Sequence, residues 1–297
     1  MKLSGFTLVR QGEKFDYPYL ESIRSLLPWV DELVVNVGRG DDSTESQLQA
    51  LIAQESKLKI IVTDWPMSNP QKGGELLSEQ TNIALDRCTG DWCIYLQADE
   101  VLHEEDAQKI RDAIFSADRS GADAVVFNYV HFYGSYQVVQ KTRSAYRREV
   151  RAVRRSSGAR SVGDAQSFRL ASGEKLRAVL SSARIFHYGW VRSPEKMKEK
   201  TFFMDQLYHG AGAGDHESGT PFTGDNYLYK KIWGLRKFEG THPSVMRERI
   251  QKKDWNWDLD RSPWTWRLSD GKKIVLDLLE RLTGYRAFEY KSYRLIK

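Results

Sequence analysis

Cysteine is scarce in this chain of 297 residues: Cys88 and Cys93 are the only two. That excludes a disulfide-built scaffold and a four-cysteine zinc site. Both stand among apolar neighbours, the setting of buried free thiols, which suits a reducing compartment. Long apolar runs are also missing. No stretch approaches the roughly 20 residues of a membrane-crossing helix, and residues 1–6 carry no signal-peptide pattern. The expected location is the cytoplasm, with at most peripheral contact at the inner face of a membrane. Excess charge is small: 45 Lys and Arg against 40 Asp and Glu leave +5. Nucleic acid is not an expected partner, because a dedicated binder concentrates more charge. A basic pocket for phosphate fits as well. Aromatic residues, by contrast, are plentiful at 12%, and 40% of the chain is hydrophobic, which means a folded protein with a sizeable core.

Apolar runs and helical spacings alternate through the first half. Strands are expected at 3–9, 32–37, 59–62, 92–96 and 124–130, and helices at 17–27, 44–54, 76–87 and 104–116. Continuous rather than alternating apolar runs predict an α/β fold, with a mostly parallel sheet covered by helices on both faces. The rhythm stops at 141–160, where eight basic residues meet one acid. This stretch reads either as antiparallel strands or as a solvated basic face. Beyond 190 the pattern turns mainly helical, giving a domain at 1–190 and an extension at 191–297. The extension holds five of the nine tryptophans. They either stack on sugar rings or pin helices to the core. At 272–297 an amphipathic helix leads into a basic, aromatic tail, suited either to the core or to an anionic lipid surface.

The strongest chemical signal is Trp92-Cys93-Ile94-Tyr95-Leu96-Gln97-Ala98-Asp99-Glu100. An apolar strand runs directly into two carboxylates. Ligands of open parallel sheets bind at the carboxyl ends of strands, where a carboxylate can hold a metal that bridges a diphosphate. The plain alternative is an acidic loop capping the next helix. Lys72, in Lys72-Gly73-Gly74, is placed to approach a phosphate or simply to stand in solvent. His187 closes the apolar run Ile185-Phe186, either as a ligand or as a satisfied core histidine.

Together these residues resemble glycosyltransferase family 2, of GT-A fold. The family's Asp-x-Asp element is similar to Gln97-Ala98-Asp99, preceded by Gly90-Asp91. Its Asn-containing helix is similar to 79–85 with Asn82, its acidic element after the second strand to Asp41-Asp42-Ser43-Thr44, and its first nucleotide-binding turn to Val9-Arg10. The resemblance spans residues 3–135 best. It implies a Rossmann-like GT-A domain with a helical C-terminal extension. It also implies transfer of a sugar from a nucleotide-sugar donor to a carbohydrate or lipid-linked hydroxyl acceptor, in polysaccharide or lipopolysaccharide assembly. Val9, Arg10, Asp41, Asp64, Lys72, Asn82, Gln97 and Ala98 would meet the nucleotide-sugar. Asp99, Glu100 and His187 would hold Mn2+ or Mg2+. Asp164 would be the catalytic base, with Asp205 in reserve, and the glycine-rich segment 210–219 would form a lid. One departure stands out. Gln97 replaces the first Asp of the element, so it can hydrogen-bond a ribose but adds no charge toward a metal. A non-catalytic nucleotide-sugar binder and a sugar-phosphate nucleotidyltransferase are the alternatives. The nucleotidyltransferase needs a glycine-rich phosphate loop that residues 9–13 do not supply.

Overall fold

Burial on both faces explains why the first strands are apolar throughout. In the computed structural model, β1 (Leu3–Arg10), β2 (Glu32–Gly38) and β3 (Leu58–Thr63) pair in parallel, and β4 (Trp92–Tyr95) joins β1 on its other side, also in parallel. All seven residues of β2 are buried. The structure describes residues 1–66, 74–143, 145–209, 222–223, 226–266 and 268–296. Helices α1 (Tyr19–Leu26), α2 (Thr44–Ile52), α3 (Glu75–Asp86) and α4 (Ala107–Arg119) alternate with the strands as expected.

The sheet then changes character. After β5 (Glu100–Leu102) come β6 (Ala124–Tyr133), β7 (Ser135–Gln140) and β8 (Arg148–Arg154). Strand β8 inserts antiparallel between β4 and β6. The arginine-rich stretch is therefore a central strand and not a solvated face: the Arg151 side chain is fully buried. A hairpin of β9 (Ala159–Val162) and β10 (Ser167–Leu170) follows, then the long β11 (Leu176–Trp190), which pairs in parallel with β6 and antiparallel with β5. Strand order across the main sheet is β7-β6-β8-β4-β1-β2-β3, so the α/β half of the sheet is parallel and the added half is mixed.

The C-terminal part carries α5 (Pro194–His209), a short pairing of β12 (Phe222–Thr223) with β13 (Asn226–Tyr227), β14 (Leu235–Lys237), α6 (Arg247–Gln251), α7 (Leu268–Thr283) and β15 (Tyr293–Leu295). It is tied to the sheet twice, through β14 on β7 and β15 on β11. Arg143 and Arg147 pair with Glu280 and Glu289, clamping α7 and the tail. Trp257 packs over Gly134 and donates to the Tyr229 carbonyl (3.1 Å), a pinning role. Trp264 and Trp266 remain exposed and stacked on each other. No described helix is long and apolar enough to cross a membrane. Helix α7 nonetheless exposes Val275, Leu278, Leu279 and Leu282.

Glu32 shows how the parallel half is fixed electrostatically. It opens β2 yet is buried, accepting from Ser4 Oγ (2.6 Å), the Thr89 N–H (2.6 Å) and Thr89 Oγ1 (2.7 Å), beside Lys59. Burial alone would raise its carboxyl; the hydrogen bonds from Lys59, Ser4 and Thr89 outweigh it and hold it down to about 2, against an ordinary 4.5. A depressed carboxyl stabilises the fold above its unfolded value, and that stability is lost as pH falls from 4.5 toward about 2. Glu32→Gln is expected to flatten the acid limb of stability in that window, read as urea midpoints against pH.

Candidate functional site

The carboxyl ends of β1 and β4 open into a cavity of about 420 Å³. Val9 and Arg10 reach it from the end of β1, and Gln97, Ala98 and Asp99 from the turn after β4. His187 comes from the end of β11, Lys200 and Tyr208 from α5, and Asp164 from the β9–β10 turn. Seven of the residues singled out from the sequence thus line one space. A larger groove of about 740 Å³ lies at the opposite edge, around Met1 and Gly90 before β4. There Arg154 pairs with Asp118 and Arg160 with Asp86, so its charges are already matched.

Asp99 is the buried hub. Its Oδ2 meets Lys200 Nζ at 3.2 Å, and its Oδ1 lies 3.6 Å from His187 Nε2. Burial would raise the Asp99 carboxyl, but Lys200, His187 and Arg192 together hold it well below the usual carboxylate range. Burial and the neighbouring Arg192 bring Lys200 down to about 8 against the pull of Asp99, which leaves it mainly protonated at neutral pH. Lys200 also donates to the Gly189 carbonyl at 2.9 Å. Position 189 is tight: a Cβ there would stand 2.5 Å from His187 Nε2 and 2.9 Å from Asp99 Oδ2, so one of the two would have to move.

Partner chemistry assigns the histidine protons. His131 Nε2 faces the Tyr146 carbonyl at 2.7 Å, and a carbonyl only accepts, so that nitrogen donates. Its Nδ1 is then the acceptor for His187 Nδ1–H at 2.9 Å. Burial and the adjacent His187 push His131 down to about 3, consistent with a neutral ring. His187 Nε2 is the atom left facing the Asp99 carboxylate.

The wall of the cavity beside β1 and β3 contains residues that the sequence motifs do not single out. Trp65, after β3, lies against Gly38, where a Cβ would be 2.6 Å from its indole nitrogen. Arg10 sits over Trp65 (5.8 Å) and Phe203 (5.5 Å). Arg10 Nη1 and Trp65 Nε1 are both buried without a partner among the described residues. Two donors left unpaired at a cavity wall ask for a ligand oxygen, since a buried unmet donor costs about 1–3 kcal/mol. In the sequence Trp65 simply follows an apolar strand beside Pro66, and Lys200 is one lysine among several nearby.

Other expected residues fall elsewhere. Asp41 is exposed and accepts from Gln11 and Lys14, while Asp64 pairs with Arg39 at the surface. Asn82 fastens α3 to Ser161 (2.9 and 3.0 Å). Lys72 and the segment 210–219 lie outside the described residues.

Glu100 requires a correction as a metal ligand. Its two oxygens take a bidentate pair from Arg151 (2.8 Å each), the Tyr129 hydroxyl (2.7 Å) and the Gln97 N–H (3.0 Å). Both partners of that ion pair are fully buried. Among the described residues no group of three or more His, Cys, Asp or Glu side chains is arranged to hold a metal ion. With Glu100 spent and Asp99 already joined to an ammonium, the donor set does not fit the Mn2+ or Mg2+ that the resemblance implies.

No protein-family profile and no curated protein matches the chain. Among solved structures it is similar to S. aureus TarS, at 16% identity and TM-score 0.42, over 74% of this chain and 41% of that one. It is also similar to TarS 1-349 in complex with UDP (15%, TM-score 0.40, 74% and 68% covered). The complex of TarS 1-349 with UDP-GlcNAc gives 14% and 0.41, with 74% and 69% covered. The chain thus spans about two fifths of the full TarS chain.

Proposed function

We propose that the chain is a glycosyltransferase that moves a sugar from a nucleotide-sugar to a hydroxyl acceptor. One observation carries this reading: at the carboxyl ends of β1 and β4, unpaired donors on Arg10 and Trp65 share a cavity with the Asp99–Lys200 pair. The flat Trp65 and the Arg10 guanidinium suit a base and its ribose or phosphate oxygens. Gln97 can bond a ribose hydroxyl. Asp164, which accepts from Tyr208 Oη at 3.2 Å, is the proposed base for the acceptor proton. Cations near the diphosphate make it a better leaving group. The acceptor belongs to surface polysaccharide or lipopolysaccharide assembly in this reading, and the exposed apolar face of α7 is where a lipid-linked acceptor would meet the chain.

The test is a panel of nucleoside diphosphates and nucleotide-sugars, followed by thermal shift and calorimetry, with and without sedimenting anionic vesicles. A ligand at about 100 times its Kd should stabilise by roughly 2.7 kcal/mol. Arg10→Met should lose about 1.5–3 kcal/mol of that binding, roughly ten- to hundredfold in Kd. If no nucleotide binds, the reading is wrong. Chain that stays in solution with the vesicles would remove the lipid contact alone.

A further inference from the structure

The site supplies positive charge where the resemblance leads one to expect a divalent ion. Building on the glycosyltransferase reading, we propose that cations of the chain itself, Lys200 with Arg10 and Arg192, neutralise the donor diphosphate, and that no divalent ion is needed for it to bind.

Lys200 Nζ holds two oxygens, Asp99 Oδ2 at 3.2 Å and the Gly189 carbonyl at 2.9 Å, that a divalent ion in this place would need for itself. An ammonium has three donors, so one N–H remains for a phosphate oxygen. Arg192 adds its charge from behind the cavity wall, which it does not line. It is fully buried, bonds the Phe15 carbonyl through Nη1 (2.7 Å), and has Nε and Nη2 without partners among the described residues. The Tyr17 ring faces both cations, at 4.7 Å from Arg192 and 4.9 Å from Lys200, which fixes them relative to each other. Arg10 adds a third positive charge on the cavity wall.

Against these three cations stand two carboxylates of the cavity, Asp99 and Asp164; the second carboxylate of the motif, Glu100, is neutralised by Arg151. Buried charge without a counter-charge is costly, and a diphosphate brings that counter-charge. A divalent ion would instead have to share Asp99 with an ammonium about 3 Å away, where like charges repel strongly.

The experiment has two arms. Manganese alone is titrated into the chain and the free ion followed by electron paramagnetic resonance. UDP, GDP, ADP and CDP are titrated calorimetrically, each in excess EDTA and in manganese. The expected result is no stoichiometric manganese binding, and a nucleoside diphosphate whose Kd in EDTA lies within about threefold of that in manganese. Lys200→Met should weaken binding in EDTA by at least about tenfold, the worth of one charge-assisted hydrogen bond, whereas Lys200→Arg should keep most of it. Circular dichroism checks that both variants fold. If the Met form does not, the wild-type EDTA titration and the Arg form still decide. Binding that disappears in EDTA and returns with manganese overturns the inference and leaves the glycosyltransferase reading standing. An unchanged affinity in Lys200→Met also overturns it. No binding of any nucleoside diphosphate in either medium overturns both.

Discussion

Glu100→Ala is expected to destabilise the protein by about 3–5 kcal/mol, because it leaves a buried guanidinium without its carboxylate. Arg151 is fully buried, grips both Glu100 oxygens at 2.8 Å, and lies over the rings of Tyr95 (5.2 Å) and Tyr129 (5.3 Å). Urea unfolding measures the loss, and a change under about 1 kcal/mol would mean that the pair is not what holds β4, β5 and β8 together. Replacing both members by apolar residues, Glu100→Leu with Arg151→Met, should recover most of the loss, since a matched apolar pair carries no desolvation cost. A metal ligand would behave differently: its removal would change stability little and ion affinity greatly.

Asp99→Asn should separate two quantities that a metal site keeps together. Turnover should fall about a hundredfold or more. Lys200 and His187 both lean on this carboxylate, and a displacement of about 1 Å at a reacting centre costs that much. Affinity for the nucleoside diphosphate in EDTA should hold or improve, because a negative charge facing the diphosphate has been removed. If Asp99 instead anchors a divalent ion, turnover and affinity should both collapse. Measuring kcat and Kd on the same variant, with the donor found by the nucleotide panel, distinguishes the two.

Much of the parallel half is legible in the sequence because its signal is local. A strand buried on both faces must be apolar throughout, as 32–37 is, and the helices between such strands repeat at helical spacing. Asp99 is legible for the same reason: an apolar strand that ends in a carboxylate places it at the ligand edge of the sheet. The partners of these residues are not legible, because they come from far along the chain. Arg151 meets Glu100 across 51 positions, so a run of arginines that will be buried looks the same as one that stays in water. Lys200 meets Asp99 across 101 positions, and nothing in its own helix sets it apart from Lys196 or Lys198. Glu100 was misread as a ligand because adjacent carboxylates look equivalent in sequence. Asp99 lies in the turn between β4 and β5 and faces the cavity, whereas Glu100 opens β5 and is buried against Arg151.

Gly189 carries a consequence for how such a site can change over generations. With His187 on one side and Asp99 on the other, any side chain there collides with one of them. A single substitution there therefore has to displace the His187 ring or the Asp99 carboxylate. The more accessible route to a new specificity runs through Trp190, which is 40% exposed on the wall of the same cavity.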